Sequence, residues 1–285
     1  MSNEKTLIVA LDLSDLDDVL IQYAHFMTEQ LNIEKVVFVH NIKVPELEDL
    51  YQEMIEEHDI SKLIHTEIFK RAQKHFSNLD QTAILITEDI STESKLKELE
   101  KTYPNSILLL GWKTEQESSR SLIQKIVRIS KIPVYLIPAN TSMKMEKLML
   151  ATDFSQPVVK VKNFIESWYN NDFKHKAIWR VYQVPSGFFP FLDDDKTLER
   201  TERHVMRDNQ QKLRKYKFDE SWKMESVQKG EDWIGEKLAK MYTRNKYDLM
   251  LLSAKGGNKL SKLFIGSTTN EIIYGVPFGV VGIIK

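Results

Sequence analysis

Apolar residues in this chain gather in short unbroken runs, and each run gives way to a stretch with helical spacing. TLIVALD (6–12) predicts a first strand with no alternation, hence one covered on both faces. Behind it Leu16, Val19, Leu20, Tyr23, Met27 and Leu31 fall on one helical face, and Ser14 with Asp17 forms a capping-box-like start. VVFVHNI (36–42) predicts a second strand. Pro45 to Phe76 reads as helical material, with Leu47, Leu50, Tyr51, Met54 and Ile55 on one side. A strand at 83–87, a helix at 91–102, a strand at 107–111, a helix at 119–130 and a strand at 133–137 follow. The same alternation then starts again: strand 147–152, helix 156–169, strand 177–184, helix 194–217, strand 224–228, helix 231–244, strand 248–253, helix 267–274, strand 277–284.

The second series repeats the first in its residues as well as its pattern. TLIVALDLSD (6–15) corresponds to KLMLATDFSQ (147–156), so that Asp12 matches Asp153. SILLLGWK (106–113) corresponds to DLMLLSAK (248–255), and ISKIPVYLIP (129–138) to IYGVPFGVVGII (273–284). Three matches in one order at nearly one offset predict two homologous halves of about 140 residues. The expected domains are 1–139 and 146–285, joined by ANTSMKMEK (139–147). Apolar strands alternating with amphipathic helices make each half a five-stranded, doubly wound α/β unit with a parallel sheet.

Composition narrows the chemistry. Lys+Arg 40 against Asp+Glu 41 leaves a net charge of −1, so no bulk basic field for nucleic acid exists. The absence of cysteine removes disulfides, thiolate metal sites and cysteine nucleophiles. No apolar stretch approaches the roughly 20 residues of a membrane span. The N-terminal run is too short and too quickly followed by acids for a signal peptide, and a cytoplasmic protein is expected.

Most isolated candidates for a site have a plainer explanation. Seven histidines are scattered without the spacing that places two metal ligands on one helical turn. Ser14 and Ser155 each follow a strand and open a helix, so capping is expected of them rather than nucleophilic attack. Asp193, Asp194 and Asp195 suit the start of a helix. PSGFFPFL (185–192) sets three phenylalanines in one connection, and burial over a crevice or against the other domain is expected. Neither Gly-x4-Gly-Lys-Ser/Thr nor Gly-x-Gly-x-x-Gly occurs.

The segment SAKGGNKLSKLFIGSTTNEI (253–272) stands apart. Two units that open with an apolar strand, Asp-x-Ser and a helix resemble the universal stress protein family, over essentially the whole chain as a tandem pair. The nucleotide-binding branch of that family carries Gly-x2-Gly-x9-Gly-Ser/Thr after the fourth strand. Here Gly256, nine residues, then Gly266, Ser267 and Thr268 fit, with Ser253 in place of the first glycine. In the first half Gly111 fits, Thr114 replaces the second glycine, and Leu122 and Ile123 stand where the final Gly-Ser would be. The resemblance implies strand order 3-2-1-4-5 and pairing of two domains through their fifth strands, here as an internal pseudo-dimer; a homodimer is a further option.

In such a sheet the ligand crevice opens between strands 1 and 4, at their carboxyl ends. Asp153 and Ser253 are expected to face each other across it. Glycine lets a phosphate approach bare backbone N–H groups, and the helix starting at 267 offers its positive end. Lys255, Lys259 or Lys262 would supply charge, and Asp153 would suit a ribose hydroxyl or a magnesium ion held by phosphates. The resemblance implies the same roles, with adenine beside strand 2. The expected ligand set is therefore Asp153, Ser253, Lys255, Gly256, Gly266, Ser267 and Thr268, for ATP or a related nucleotide with magnesium. The expected function is a non-catalytic stress-response module. The alternatives are a ligand-free interaction protein and a weak magnesium-dependent ATPase.

Overall fold

In the computed structural model the described residues are 4–42, 59–88, 91–113, 117–170, 172–184, 194–254 and 265–285. The chain divides into two compact units, Met1–Met143 and Lys144–Ile284. The first contains β1 (Thr6–Leu11), α1 (Leu16–Leu31), β2 (Lys35–Ile42), α2 (Ile60–Gln73), β3 (Thr82–Glu88), α3 (Thr92–Thr102), β4 (Ser106–Trp112), α4 (Glu117–Ile129) and β5 (Val134–Pro138). Its strands run parallel in the order β3-β2-β1-β4-β5.

The second unit contains β6 (Lys147–Ala151), α5 (Val158–Tyr169), β7 (His175–Tyr182), α6 (Asp194–Lys215), β8 (Trp222–Gln228), α7 (Ile234–Asn245), β9 (Leu249–Ser253), α8 (Ser267–Tyr274) and β10 (Val280–Ile284). Its strands are also parallel, in the order β8-β7-β6-β9-β10. Counted within each unit, both orders are 3-2-1-4-5.

The unbroken apolar runs make the central strands. Leu7, Ile8 and Val9 of β1 and Ile107, Leu108 and Leu109 of β4 are buried, as are Leu148, Met149 and Leu150 of β6 and Leu249, Met250 and Leu251 of β9. Burial of neighbours that point to opposite faces requires cover on both sides of each sheet. On α1 the covering face is Leu20, Ile21, Tyr23, Ala24, Met27 and Leu31. On α5 it is Val161, Phe164, Ile165 and Trp168. Both helices close with an asparagine in the left-handed region, Asn32 at φ 51° and Asn170 at φ 47°, a conformation its short amide side chain tolerates.

The turn after the first strand of each unit corrects one expectation. Ser14 and Ser155 do not cap a helix with their side chains. Each instead donates its backbone N–H to the aspartate two residues earlier, Ser14 to Asp12 Oδ1 at 3.2 Å and Ser155 to Asp153 Oδ1 at 2.8 Å. The intervening residues Leu13 and Phe154 have φ of 63° and 58°. Left-handed backbone at a bulky residue is costly, so the surrounding bonds must hold it. In the first unit Asp17 does this by accepting the N–H groups of Asp12 and Leu13. In the second, Thr152 Oγ1 accepts the Phe154 N–H at 2.8 Å and Tyr216 donates its hydroxyl to the Phe154 carbonyl at 2.9 Å. The helical reading of Pro45–Phe76 holds for α2, while 43–58 lie outside the described residues, as do 185–193 with the aromatic connection and Asp193.

Candidate functional site

At the carboxyl ends of β6 and β9, where the strand order reverses, the second unit contains a cavity of about 230 Å³. Asp153, Ser253, Gly266, Ser267 and Thr268 all line it. Lys255 and Gly256, with Lys259 and Lys262, lie outside the described residues. Asp153 reaches the cavity because the turn after β6 carries it there, and Ser253 because it ends β9. Gly266 arrives beside them through its N–H, which donates to the Ala254 carbonyl at 2.9 Å.

Neither Ser267 nor Thr268 is the cap of α8. Its N-cap is Gly266, at φ −61° and ψ 148°, and no side chain caps the helix. Ser267 and Thr268 are inside the first turn. Thr269, almost fully buried, donates its hydroxyl to the Ser253 carbonyl at 3.2 Å, which ties the helix start to the end of β9. A first turn without a side-chain cap leaves backbone donors for another acceptor, and the helix dipole favours an anionic one. Among the described lining residues Asp153 carries the only formal charge.

Three contributors were not anticipated. Trp179 and Val181 of β7 line the side next to the second strand, and Thr152 joins them from the end of β6. The Trp179 indole N–H donates to the Tyr247 hydroxyl at 2.8 Å, fixing the ring. Trp179 pairs with Ala151 in the register of β6 and β7, beside the turn that carries Asp153, and none of the repeat's matching segments covers it. The remaining wall is Ser155 and a set of aliphatic residues, Leu150, Ala151, Val158, Val161, Ile234, Leu238 and Leu252.

The equivalent region of the first unit is built differently. Asp12 pairs with Lys113, at the end of β4, and also accepts the Ser14 hydroxyl at 2.6 Å. These partners hold its carboxyl below the usual range although burial pushes it upward. Leu122 and Ile123 lie inside α4, which begins at Glu117. No helix start therefore stands where Gly266 does in the second unit. Gly111 faces α1, where an added Cβ would come within 2.6 Å of Leu16 Cδ2. That glycine serves the approach of helix to strand.

No family model matches the chain, and no curated protein matches it. Solved structures do. A universal stress protein from Archaeoglobus fulgidus DSM 4304 superimposes with a TM-score of 0.67 at 14% identity, covering 98% of each chain. A functionally unknown protein from Pseudomonas aeruginosa PAO1 gives 0.64 at 10% identity, over 98% of this chain and 92% of that one. A third, from Pseudomonas aeruginosa UCBPP-PA14 and provisionally titled a universal stress protein, gives 0.59 at 10% identity, over 99% and 93%. Such identities speak to architecture alone, but they do so along the whole chain. The chain has the universal stress protein fold, carried twice in tandem.

Proposed function

We propose that this chain is a stress-response module of the universal stress protein kind, non-catalytic, with a nucleotide site in its second unit. The observation that carries the reading is the glycine-capped start of α8 opening on the same cavity as Asp153 and Ser253. The backbone N–H groups of that first turn, with Ser267 and Thr268, suit phosphate oxygens. Asp153 suits a ribose hydroxyl or a phosphate-held magnesium ion, and the flat Trp179 side suits a base. The donor set fits a nucleotide chemically. In size, 230 Å³ is below the roughly 300–1,000 Å³ of small-molecule sites, so these walls take part of such a ligand.

Two measurements test the reading. Purified protein is denatured and its supernatant analysed for released nucleotide, and ATP with magnesium is titrated by calorimetry. Silence in both, on folded protein, refutes it. Where binding is seen, Gly266→Val is expected to abolish it by blocking backbone approach. The φ and ψ of Gly266 are open to any residue, so the substitution tests access rather than backbone strain. Leu122→Val is expected to leave nucleotide affinity unchanged.

A second reading, an interaction module, draws on a different observation. Trp233 and Val276 are 68% and 74% exposed and border, with Tyr274, a groove beside α7 and α8. Exposed aromatic and aliphatic residues in one patch suit a protein surface. Silence in both nucleotide assays would favour this reading.

A further inference from the structure

The first unit, whose glycine motif is degraded, has the larger of the two crevices. Its cavity is about 520 Å³ against 230 Å³, within the range of small-molecule sites where the other falls short. The lining is dominated by aliphatic side chains from four directions. Leu16 and Leu20 come from α1, Leu110 from β4, Ile60 and Ile64 from α2, and Leu122, Ile123 and Ile126 from α4. The replacements that remove the phosphate cradle thus furnish an apolar wall.

Polar groups also line this cavity, supplied by the end of β2 and the first turn of α3. Asn41 is oriented by the Thr87 hydroxyl, which donates to its Oδ1 at 2.8 Å, and its amide donates to Thr92 Oγ1 at 3.3 Å. His40 directs Nδ1 to the Leu11 carbonyl at 3.0 Å. That contact makes Nδ1 the protonated nitrogen and leaves Nε2 an acceptor. Burial pushes the His40 pKa down, consistent with a neutral ring.

Among the described residues the charges on the lining are Asp12, Lys113 and Lys95. Asp12 and Lys113 neutralise each other. Lys95 is paired only along its own helix, with Glu98 at 2.8 Å, and the Glu98 side chain is 64% exposed. A surface pair of that kind contributes little and is readily exchanged for a better-shielded anion. The described part of the lining therefore carries one surplus positive charge next to a hydrophobic chamber. A polyanion would find one exchangeable lysine and the Asp12 carboxylate, and the start of α3 is already capped by Ser91, whose Oγ accepts the Ser94 N–H at 3.3 Å.

We infer that the first unit binds a medium-chain aliphatic monocarboxylate, with its tail among Leu16, Leu20, Leu110, Leu122 and Ile126 and its carboxylate at Lys95. This site is independent of the nucleotide reading of the second unit.

Decanoate is the probe, titrated into the full chain by calorimetry below its aggregation concentration, beside octanoate and decanol. Saturable binding of one decanoate per chain is expected, with affinity rising about fourfold per added methylene. Lys95→Gln is expected to weaken decanoate by about tenfold or more while leaving decanol unchanged. Leu122→Trp fills the chamber and is expected to remove both. To separate filling from loss of folding, its far-ultraviolet circular dichroism and urea midpoint are measured alongside, and Ile126→Phe serves as a second, smaller filling. Gly266→Val is expected to bind decanoate like the parent. Failure of decanoate to bind folded protein overturns the inference. So does binding that persists undiminished in both filled variants, or that is lost in Gly266→Val. Equal affinities for decanoate and decanol overturn the assignment of Lys95.

Discussion

The buried carboxylate of Asp17 makes the stability of the first unit depend on pH in an unusual direction. Asp17 is 1% exposed. It accepts the Leu13 N–H at 2.8 Å and the Asp12 N–H at 3.2 Å, and so holds the left-handed turn after β1. Burial is the largest influence on its proton and favours the neutral form. The N–H bond from Asp12 opposes it, the Asp12 charge adds to it, and the Leu13 N–H and Arg71 oppose it in turn. The outcome is a pKa pushed from the ordinary 3.8 to about 6.

A folded pKa above the unfolded one means that the native state holds the proton more tightly. The stabilisation is then complete below the unfolded pKa and is lost as pH rises through about 6. A shift of about two units corresponds to roughly 3 kcal/mol between the limits, most of it falling between about pH 4 and 7. Asp17→Asn removes the titration. Its carbonyl oxygen keeps one N–H bond, and its amide faces the other donor, costing about 1–3 kcal/mol at all pH values. Measured against the parent by urea unfolding and circular dichroism, the variant should gain about 2–3 kcal/mol in relative stability from pH 4 to 7.5. A difference that stays constant across that range would refute the argument, since only a titrating Asp17 can produce the slope.

Three further substitutions probe packing and buried polar contacts within the two units. Gly111→Ala places a methyl within 2.6 Å of the flexible end of Leu16 and should cost about 1–3 kcal/mol. In a Leu16→Ala background that cost should fall towards zero in a double-mutant cycle of urea unfolding. Gly279→Ala drives its methyl to 2.2 Å from the buried Tyr242 ring and should cost more, at about 3 kcal/mol or above. Tryptophan fluorescence suits that measurement, because Trp168, Trp179, Trp222 and Trp233 all lie in the second unit. Asn209→Ala removes one of the two acceptors of Arg180, at 2.9 Å, and leaves Asp208 at 2.6 Å. Asn209 is almost fully buried, so a loss of about 1–3 kcal/mol is expected in the same unfolding assay.

The architecture was legible because each half writes it in local patterns that the fold does not override. Unbroken apolar runs became doubly covered strands, and the recurrence of TLIVALDLSD as KLMLATDFSQ marked equivalent turns, whose Asp-x-Ser backbones bend alike. The site was legible only where it follows from that recurrence. Asp153, Ser253 and Gly266 come together because they terminate elements adjacent at a reversal of strand order. The partners that decide the chemistry of each crevice are distant in sequence or ambiguous in type. Asp17 looks like any acid in the first turn of a helix, where the dipole favours it, and only the packing of α1 reveals it as a buried acceptor. Its counterpart at the start of α5 is the apolar Val158, so the second unit must hold the same turn with Thr152 and Tyr216. Lys113 meets Asp12 because β1 and β4 are neighbours, although about a hundred residues separate them in sequence. The glycine motif was informative in the second unit because Gly266 really is the helix cap. In the first, α4 starts earlier and carries Leu122 and Ile123 into the crevice, so the residues that stand in the motif's place form part of an apolar wall. Loss of a recognisable motif is thus a poor measure of lost function. The first crevice has its own shape and described lining, and the proposed monocarboxylate site rests on these.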